Sequence, residues 1–171
     1  MKTWIKNPAA TWTGNQTPAN GIVVEGSVIT ELVNGEPVSA VDEMYDAGKC
    51  VFLPGLVNCH HHFYQTLTRA LPSALNKELF DWLASLYPIW ANLDEEAIRA
   101  STTTAVCELL LSGCTTTTDH HYVFSDQTTN GIDIQAEVTE RLGIRAILTR
   151  GSISLGKSDG GLPPDEVVQN A

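Results

Sequence analysis

Basic residues and long apolar runs are both scarce in this sequence of 171 residues. Ten Lys and Arg stand against twenty Asp and Glu, which gives a formal net charge of −10. Phosphate binding requires clustered Lys and Arg, so the composition excludes DNA or RNA as a general partner and argues equally against an anionic membrane surface. No stretch reaches the ~18 consecutive apolar residues of a transmembrane helix.

Cysteines are few and widely spaced. The four, Cys50, Cys59, Cys107 and Cys114, form no CxxC pair, and the first residues lack the apolar region of a secretory signal. We therefore expect reduced, mostly buried thiols in a cytoplasmic protein. The composition, with 43% apolar and 18% charged residues, is that of a globular domain.

Residues 1–53 have the pattern of short β-strands. Apolar and polar residues alternate in GIVVEGSVITEL, and the turn sequence NGEP (Asn34–Pro37) follows. This stretch is too short to close a core of its own. We expect it to form part of a small β-sandwich, followed by a second domain at residues 54–171.

From residue 51 onward, apolar strands alternate with helical stretches. Strands are predicted at 51–59, 114–118 and 144–149, helices at 77–86, 94–112 and 132–142, and a polar loop at 151–165. Pro88 is expected to end the first helix, Gly113 and Gly143 to end the other two, and Pro164-Asp165 to open a further helix. This order predicts an α/β fold with a parallel sheet and helices outside it.

All five histidines lie where the first two of these strands end, in His60–His62 and in Asp119-His120-His121. Parallel α/β folds build their sites at this edge. Residues i and i+2 of a strand face the same side, so His60 and His62 can direct two imidazoles at one divalent metal such as zinc. A histidine-rich surface turn without metal is the alternative interpretation of so short a motif.

Four further side chains are candidates for substrate contact. The Gln65 amide can donate to and accept from a purine edge, and Trp82 can stack on a flat ring. His121 can face the site from the end of the second strand, and Arg150 can donate to a ring carbonyl. Their structural alternatives are, in the same order, a solvated loop residue, a core aromatic, a cap on a neighbouring element and a salt bridge to a helix acid.

The segment PGLVNCHHHFYQTLTRA (Pro54–Ala70) resembles the first-strand signature of the amidohydrolase superfamily, which is Pro-Gly, an apolar pair, Asn or Asp, any residue, and HxH. Together with TTTTDHHYVF and TRGSISLGKSDGGLPPDEVVQ, it is similar to members that act on oxidised purines or s-triazines. The resemblance implies a (β/α)8 TIM barrel, of which about three βα units are present, beside a β-sandwich. It also implies one divalent metal, expected to be zinc, with His60 and His62 as the first two ligands.

The function implied by this resemblance is metal-dependent hydrolytic deamination of a purine-type ring. The leading expectation is conversion of 8-oxoguanine to urate and ammonia, and the alternative is hydrolysis of an s-triazine or another N-heterocycle with an amine or chloride as leaving group. A non-catalytic metal-binding module is an alternative of another class. The expected partners are a small heterocyclic substrate and, in the full-length enzyme, further copies of the chain.

The chain departs from the family pattern in its length. A complete barrel needs about 250 residues, and the stretch from Pro54 onward has fewer than half of that. No histidine follows His121, so the later metal ligands and the proton-transferring residues of the family have no counterpart here. We therefore expect the N-terminal part of a longer enzyme, without a catalytic acid or base of its own and inactive by itself.

Overall fold

The computed structural model describes residues 1–12, 14 and 19–169, in two compact units, Met1–Pro54 and Gly55–Ala171. The strands are β1 Lys2–Lys6, β2 Ala10–Thr11, β3 Gly21–Glu25, β4 Val28–Val33, β5 Glu43–Asp46, β6 Val51–Phe52, β7 Leu56–Asn58, β8 Cys114–His121 and β9 Arg145–Arg150. The helices are α1 Leu79–Trp90, α2 Glu95–Leu111 and α3 Gly131–Leu142. None of the helices in the described part of the chain has both the length and the apolar character needed to cross a bilayer.

The first unit is built from β-strands alone. Its main sheet has the order β4-β3-β1-β5, with β5 parallel to β1 and the other pairs antiparallel, and β2 pairs with β6 in a separate parallel ribbon. The β3–β4 hairpin turns at Gly26, whose φ of +59° favours glycine. Trp4, Val23 and Val33 form the small buried core of this unit.

The second unit contains the predicted parallel α/β layer. Its sheet has the order β7-β8-β9 and all pairs are parallel. Helix α2 packs against α3 and β8, and α3 packs against β9. A buried cluster, consisting of Phe63, Ala105, Val106, Leu109, Cys114 and Ile144, joins these elements. The sheet ends that carry the histidines are thus supported by a packed helical layer.

Helices α2 and α3 begin and end close to the predicted positions. The Asp94 carboxylate caps α2 by accepting from the Ala97 amide at 2.8 Å. Gly113 follows α2 and Gly143 follows α3, with φ values of +84° and +81°. These positive φ angles are typical of glycine after a helix, so the two stop signals are confirmed.

The first helix does not end before Pro88, and that prediction is wrong. Helix α1 includes Pro88 and continues to Trp90, which is buried and donates from Nε1 to the Thr68 hydroxyl at 3.0 Å. A proline inside a helix costs about 3 kcal/mol, whereas burying one large apolar side chain contributes ~1.5–3 kcal/mol. Burial of Tyr87 and Trp90 together outweighs the cost of the proline.

The predicted strand at 51–59 is divided at Pro54-Gly55. Its first part, β6, pairs with β2 in the first unit, and its second part, β7, pairs with β8 in the second. Pro54 lacks the N–H that a continuous ladder would need. Gly55 passes so close to Thr115 that a Cβ there would lie 2.1 Å from its hydroxyl oxygen.

Two other predicted boundaries also need correction. Strand β8 runs to His121 instead of ending at residue 118, because its last residues pair with β9, His121 opposite Arg150. Pro164 opens only a 3-10 turn, Asp165–Val167, and no longer helix follows in the described residues. The Asp165 carboxylate instead accepts from the Ser158 amide at 3.0 Å, which ties this turn to the preceding loop.

The cysteines are all free, but they are less buried than predicted. Cys114 is buried under α2 and Cys107 is half-buried, whereas Cys50 and Cys59 are exposed. Cys50 and Cys59 lie just before β6 and just after β7, where the chain leaves the sheet and packing is incomplete. The prediction of mostly buried thiols is therefore wrong for these two.

Candidate metal and substrate site

The histidine motif lies immediately after β7, at the carboxyl edge of the parallel sheet. The ring centroids of His60 and His62 are 5.3 Å apart and the ring planes are nearly perpendicular, at 88°. The ring of His61 instead packs against buried Phe63, with centroids 5.0 Å apart. The Asn58 side-chain oxygen accepts from the His60 amide at 3.0 Å and holds the start of the motif.

His62 has a defined tautomer. Its Nδ1 lies 2.7 Å from the carbonyl oxygen of His120, and since a carbonyl only accepts, Nδ1 carries the proton. Burial lowers the pKa of His62, so the ring is neutral at neutral pH and Nε2 keeps its lone pair. A metal-binding histidine usually donates its second ring N–H to a carbonyl or carboxylate, so this ring fits a divalent ion.

The set of ligands is nevertheless incomplete within the described residues. His60 and His62 offer two imidazole nitrogens, whereas zinc takes three or four protein ligands. No group of three or more His, Cys, Asp or Glu in the described ranges is arranged to hold a metal. The two rings therefore fit part of a metal site and would need further ligands.

The last residues of β8 alternate between the two faces of the sheet. Asp119 and His121 are buried on the helix side, whereas His120 is exposed on the opposite side. The Asp119 carboxylate accepts from the Phe63 amide at 2.6 Å and from Gln135 Nε2 at 2.8 Å. Burial raises the pKa of Asp119 to about 6, although both hydrogen bonds oppose the rise.

His121 lies in the core, between the rings of Tyr64 and Phe124, with centroids 5.1 and 4.6 Å away. Burial lowers its pKa to about 4, so the ring is neutral at neutral pH. Its Nε2 has no hydrogen-bond partner among the described residues. His121 lines neither of the cavities beside the motif, and its predicted contact with substrate stays a prediction.

Two cavities border the histidine motif, and both contact His60, His61 and His62. The larger measures about 480 Å³ and is further lined by Gln65, Thr66, Thr68, Arg69, Ala70 and Trp82. The smaller measures about 410 Å³ and is further lined by Cys59, Thr118, Asp119, His120 and Thr149. Both volumes lie within the 300–1,000 Å³ typical of small-molecule sites.

The structure brings Gln65 and Trp82 to the larger cavity together with the histidine pair. The Gln65 Nε2 makes long contacts of 3.4 and 3.5 Å with the hydroxyl oxygens of Tyr64 and Tyr122. The Trp82 ring is half-buried and lies 5.4 Å from the Trp90 ring, centroid to centroid. An amide and a flat aromatic ring thus border the same space, and their roles stay predictions.

Arg150 lies at the carboxyl end of β9 but lines neither cavity. Its guanidinium stacks over the Phe124 ring, with the central carbon 4.6 Å from the ring centroid. No acidic partner pairs with Arg150 in the described part of the chain, so the salt-bridge alternative has no support there. Its predicted contact with a ring carbonyl is untested.

Several groups at this edge of the sheet were not predicted from the sequence. The His120 carbonyl that orients His62 belongs to the backbone, and Gln135 reaches Asp119 from a helix of unremarkable composition. Arg69 forms a two-point ion pair with Glu108 beside the larger cavity, with distances of 3.0 and 2.7 Å. Its place within HHHFYQTLTRA was the only available indication.

A parallel α/β unit with paired imidazoles at its carboxyl edge is an architecture in which metal-dependent hydrolases are found. Residues 51–170 match the sequence profile of the amidohydrolase family, and the chain belongs to this family. The predicted fold class, the beginning of a TIM barrel after a β-rich portion, agrees with the solved structures that the chain resembles.

Three known proteins illustrate the similarity. The chain is 53% identical to 8-oxoguanine deaminase of Pseudomonas aeruginosa, over 99% of the chain and 38% of that protein. It is 37% identical to hydroxydechloroatrazine ethylaminohydrolase of a Pseudomonas species, over 68% of the chain and 25% of that protein. The crystal structure of a zinc-bound atrazine chlorohydrolase from Arthrobacter aurescens matches with a TM-score of 0.86 and 27% identity, over 98% of the chain and 40% of that structure.

The chain spans 38% of the length of the deaminase and 40% of that of the chlorohydrolase. Zinc is present in the chlorohydrolase structure.

Proposed function

We propose that the complete protein is a metal-dependent aminohydrolase that removes an amino group from a purine-type ring. The substrate with most support is 8-oxoguanine, because nearly all of the present chain is similar to part of an 8-oxoguanine deaminase. The observation that carries the proposal is the pairing of His60 and His62 beside a cavity of about 480 Å³. In this reaction water replaces the amino group on a ring carbon, which gives urate and ammonia.

His60 and His62 would hold the metal, together with ligands outside the described residues. When bound, a divalent ion supplies the Lewis acidity that makes water a nucleophile near neutral pH. The His62 ring is suited to this task because its Nδ1–H is bound to the His120 carbonyl, which leaves Nε2 as the ligand. We assign no general acid or base to the described residues.

Four side chains would contact the substrate. The Gln65 Nε2 lies near two phenolic oxygens, which leaves its side-chain carbonyl to accept from a ring N–H. Trp82 would stack on the flat ring from the side of the cavity. Arg150 would donate to a ring carbonyl, and His121 would contact the substrate only after a rearrangement, because it is fully buried.

The test is formation of urate and ammonia from 8-oxoguanine by the complete protein. Loss of one outer-shell partner of a metal costs about 10–100-fold, so His60→Ala and His62→Ala should each lower kcat/KM by more than about 100-fold. A chelator should abolish the activity and added Zn²⁺ should restore it. The matched control is Glu96→Gln, an exposed change in the first turn of α2 that should retain wild-type activity. Wild-type protein that forms no urate, or a fully active His62→Ala variant, would contradict the proposal.

Hydrolysis of an s-triazine is the second candidate. It is favoured by the similarity to an atrazine chlorohydrolase and to a hydroxydechloroatrazine ethylaminohydrolase. The same preparations should therefore be tested with chlorinated and alkylamino s-triazines, with release of chloride or amine as the readout. Higher kcat/KM for a triazine than for 8-oxoguanine would select this candidate, and metal binding without any turnover would select a non-catalytic module.

A cytoplasmic location is the further proposal, and it agrees with free, exposed thiols at Cys50 and Cys59, because reducing compartments keep thiols reduced. Exposed apolar side chains at and before α1, Leu75, Leu79 and Phe80, favour a homo-oligomer. Cell fractionation and light scattering of the complete protein test these two assignments.

A further inference from the structure

The end of β8 forms three hydrogen bonds with the histidine motif and the residue that follows it. The His120 amide donates to the His61 carbonyl oxygen at 3.0 Å, and the His62 ring donates from Nδ1 to the His120 carbonyl at 2.7 Å. In the third contact, the Asp119 carboxylate accepts from the Phe63 amide at 2.6 Å. Of these three hydrogen bonds, the one to Phe63 is the only one that uses a β8 side chain, so it is the only one of the three that depends on residue type.

Helix α3 holds the Asp119 carboxylate from its other side. Gln135 donates from Nε2 to Oδ2 of Asp119 at 2.8 Å, and both side chains are buried. An ionised carboxylate only accepts hydrogen bonds, so Gln135 must direct its NH2 group toward it. The glutamine thus fixes the orientation of the carboxylate, while its own Oε1 has no partner within residues 1–12, 14 and 19–169.

Asp119 pairs with no cation in the part of the chain that the structure describes. None of the ion pairs within the described residues includes it, although it is only 1% exposed. A buried carboxylate without a cation costs free energy, so packing alone does not account for an acid at this position. A carboxylate does make shorter and stronger hydrogen bonds than a neutral acceptor, which agrees with the short contact to Phe63.

We propose that Asp119, supported by Gln135, is a positioning residue for the metal-binding pair His60 and His62. It holds the Phe63 amide, which is the first backbone group after His62, and so keeps the Nδ1–H of that ring on the His120 carbonyl. The inference rests on the proposed metal-dependent function and extends it to a residue that acts through the backbone of the motif.

The test measures the affinity of the complete protein for Zn²⁺ and Co²⁺ by competition with a chromophoric chelator. The visible absorption spectrum of the Co²⁺ form reports the ligand geometry. Asp119→Ala removes the carboxylate that accepts from the Phe63 amide and from Gln135. The affinity should therefore fall about 10–100-fold, the usual loss for an outer-shell partner, and the spectrum should change. Asp119→Asn keeps an oxygen for Phe63, and Gln135 can turn its unpartnered Oε1 toward the new amide, so most of the affinity should be recovered.

The matched control is Val138→Ala, which removes a buried side chain from α3 without touching the carboxylate. It should lower the urea midpoint of unfolding and leave the metal affinity and the Co²⁺ spectrum unchanged. If Asp119→Ala does not fold, Gln135→Met serves in its place, because it preserves shape and removes one of the two carboxylate contacts. The metal affinity of Gln135→Met should fall, but by less than the loss expected for Asp119→Ala. The spectrum of its Co²⁺ form should change in the same way.

Wild-type affinity in Asp119→Ala, or in Gln135→Met if the first variant is unfolded, would overturn the positioning role. An equal loss in Val138→Ala would also overturn it, because the effect would then be one of general stability. Urate formation is measured in parallel. If the variants show the expected metal affinities but the wild-type protein forms no urate, the proposed function alone is overturned. If the wild-type protein forms urate but the variants bind metal as tightly as wild type, the positioning role alone is overturned.

Discussion

Asp119 and His121 place two titratable groups next to each other on the buried face of β8. Burial raises the pKa of Asp119 from 3.8 to about 6 and lowers the pKa of His121 from 6.5 to about 4. The folded state therefore favours the neutral form of each. The stability contributed by Asp119 is present at low pH and is lost as the pH rises through about 6, whereas that of His121 is lost as the pH falls through about 4.

The free energy of unfolding should rise more steeply with pH in Asp119→Asn than in wild type. The raised pKa of Asp119 corresponds to about 3 kcal/mol, so the variant should gain on the order of 3 kcal/mol relative to wild type between about pH 4 and pH 7. Urea unfolding of the metal-free protein at several pH values measures this difference. The control is Asp133→Asn, an exposed carboxylate in the first turn of α3. Parallel stability curves for wild type and Asp119→Asn would contradict the assignment.

The histidine pair could be predicted from the sequence, and its support could not. Alternation along an extended chain is a local rule, and it was enough to pair His60 with His62 and to separate His61. Asp119 depends on partners 56 and 16 positions away, the Phe63 amide and Gln135. No local pattern in DHH indicates which of its residues faces the helices.

Among the structural elements, the link between β6 and β7 is packed closely against a neighbouring strand. It carries the chain from the first unit to the second, and Gly55 passes directly against Thr115 of β8. All three nearest atoms to a Cβ at this position belong to that one side chain, at 2.1 to 2.7 Å. A threonine in a packed strand has little freedom to move away, so position 55 requires glycine.

Gly55→Ala should destabilise the protein by about 1–3 kcal/mol, the usual cost of overpacking. The urea midpoint, with an unchanged slope, measures the loss. Gly48→Ala is a suitable control, because its added methyl group would meet the end of the Asp46 side chain at 3.2 Å and the Asn7 carbonyl oxygen at an ordinary contact distance of 3.8 Å. If both variants unfold at the wild-type urea concentration, the close packing at Gly55 has no energetic importance.

Element boundaries were predictable where a local signal set them. Asp94 and Gly143 mark the start of α2 and the end of α3 because a cap and a left-handed turn depend on residues nearby in the chain. The end of β8 depends on pairing with β9, and the continuation of α1 through Pro88 depends on burial of Trp90. Both depend on tertiary contacts, which the local sequence does not indicate.

For the molecule as a whole, the parallel sheet has a bare face and two free edges within the described residues. Strands β7 and β9 each have a single partner, β8. Val57 and Ile147 pair in register with Thr116 and Thr118, so they point away from the helices, and both are more than half exposed. Free strand edges beside exposed apolar side chains promote association between chains.

Residues 1–171 expressed alone should therefore self-associate. Ile147→Lys places a charge on the bare face and should shift the population toward monomer, as measured by sedimentation velocity. Leu111→Lys changes an exposed apolar residue on α2, away from the sheet, and should leave association unchanged. A wild-type chain that remains monomeric at high concentration would contradict the prediction that the bare face of the sheet promotes association.

The contact that orients His62 has a consequence for mutational tolerance. Its acceptor is the backbone carbonyl of His120, which every amino acid would supply at that position. Only proline would disturb the local pairing, because it would remove the amide that donates to His61. A substitution scan would thus leave the orienting bond of His62 undetected at position 120, since the tolerance of that position reports on its side chain alone.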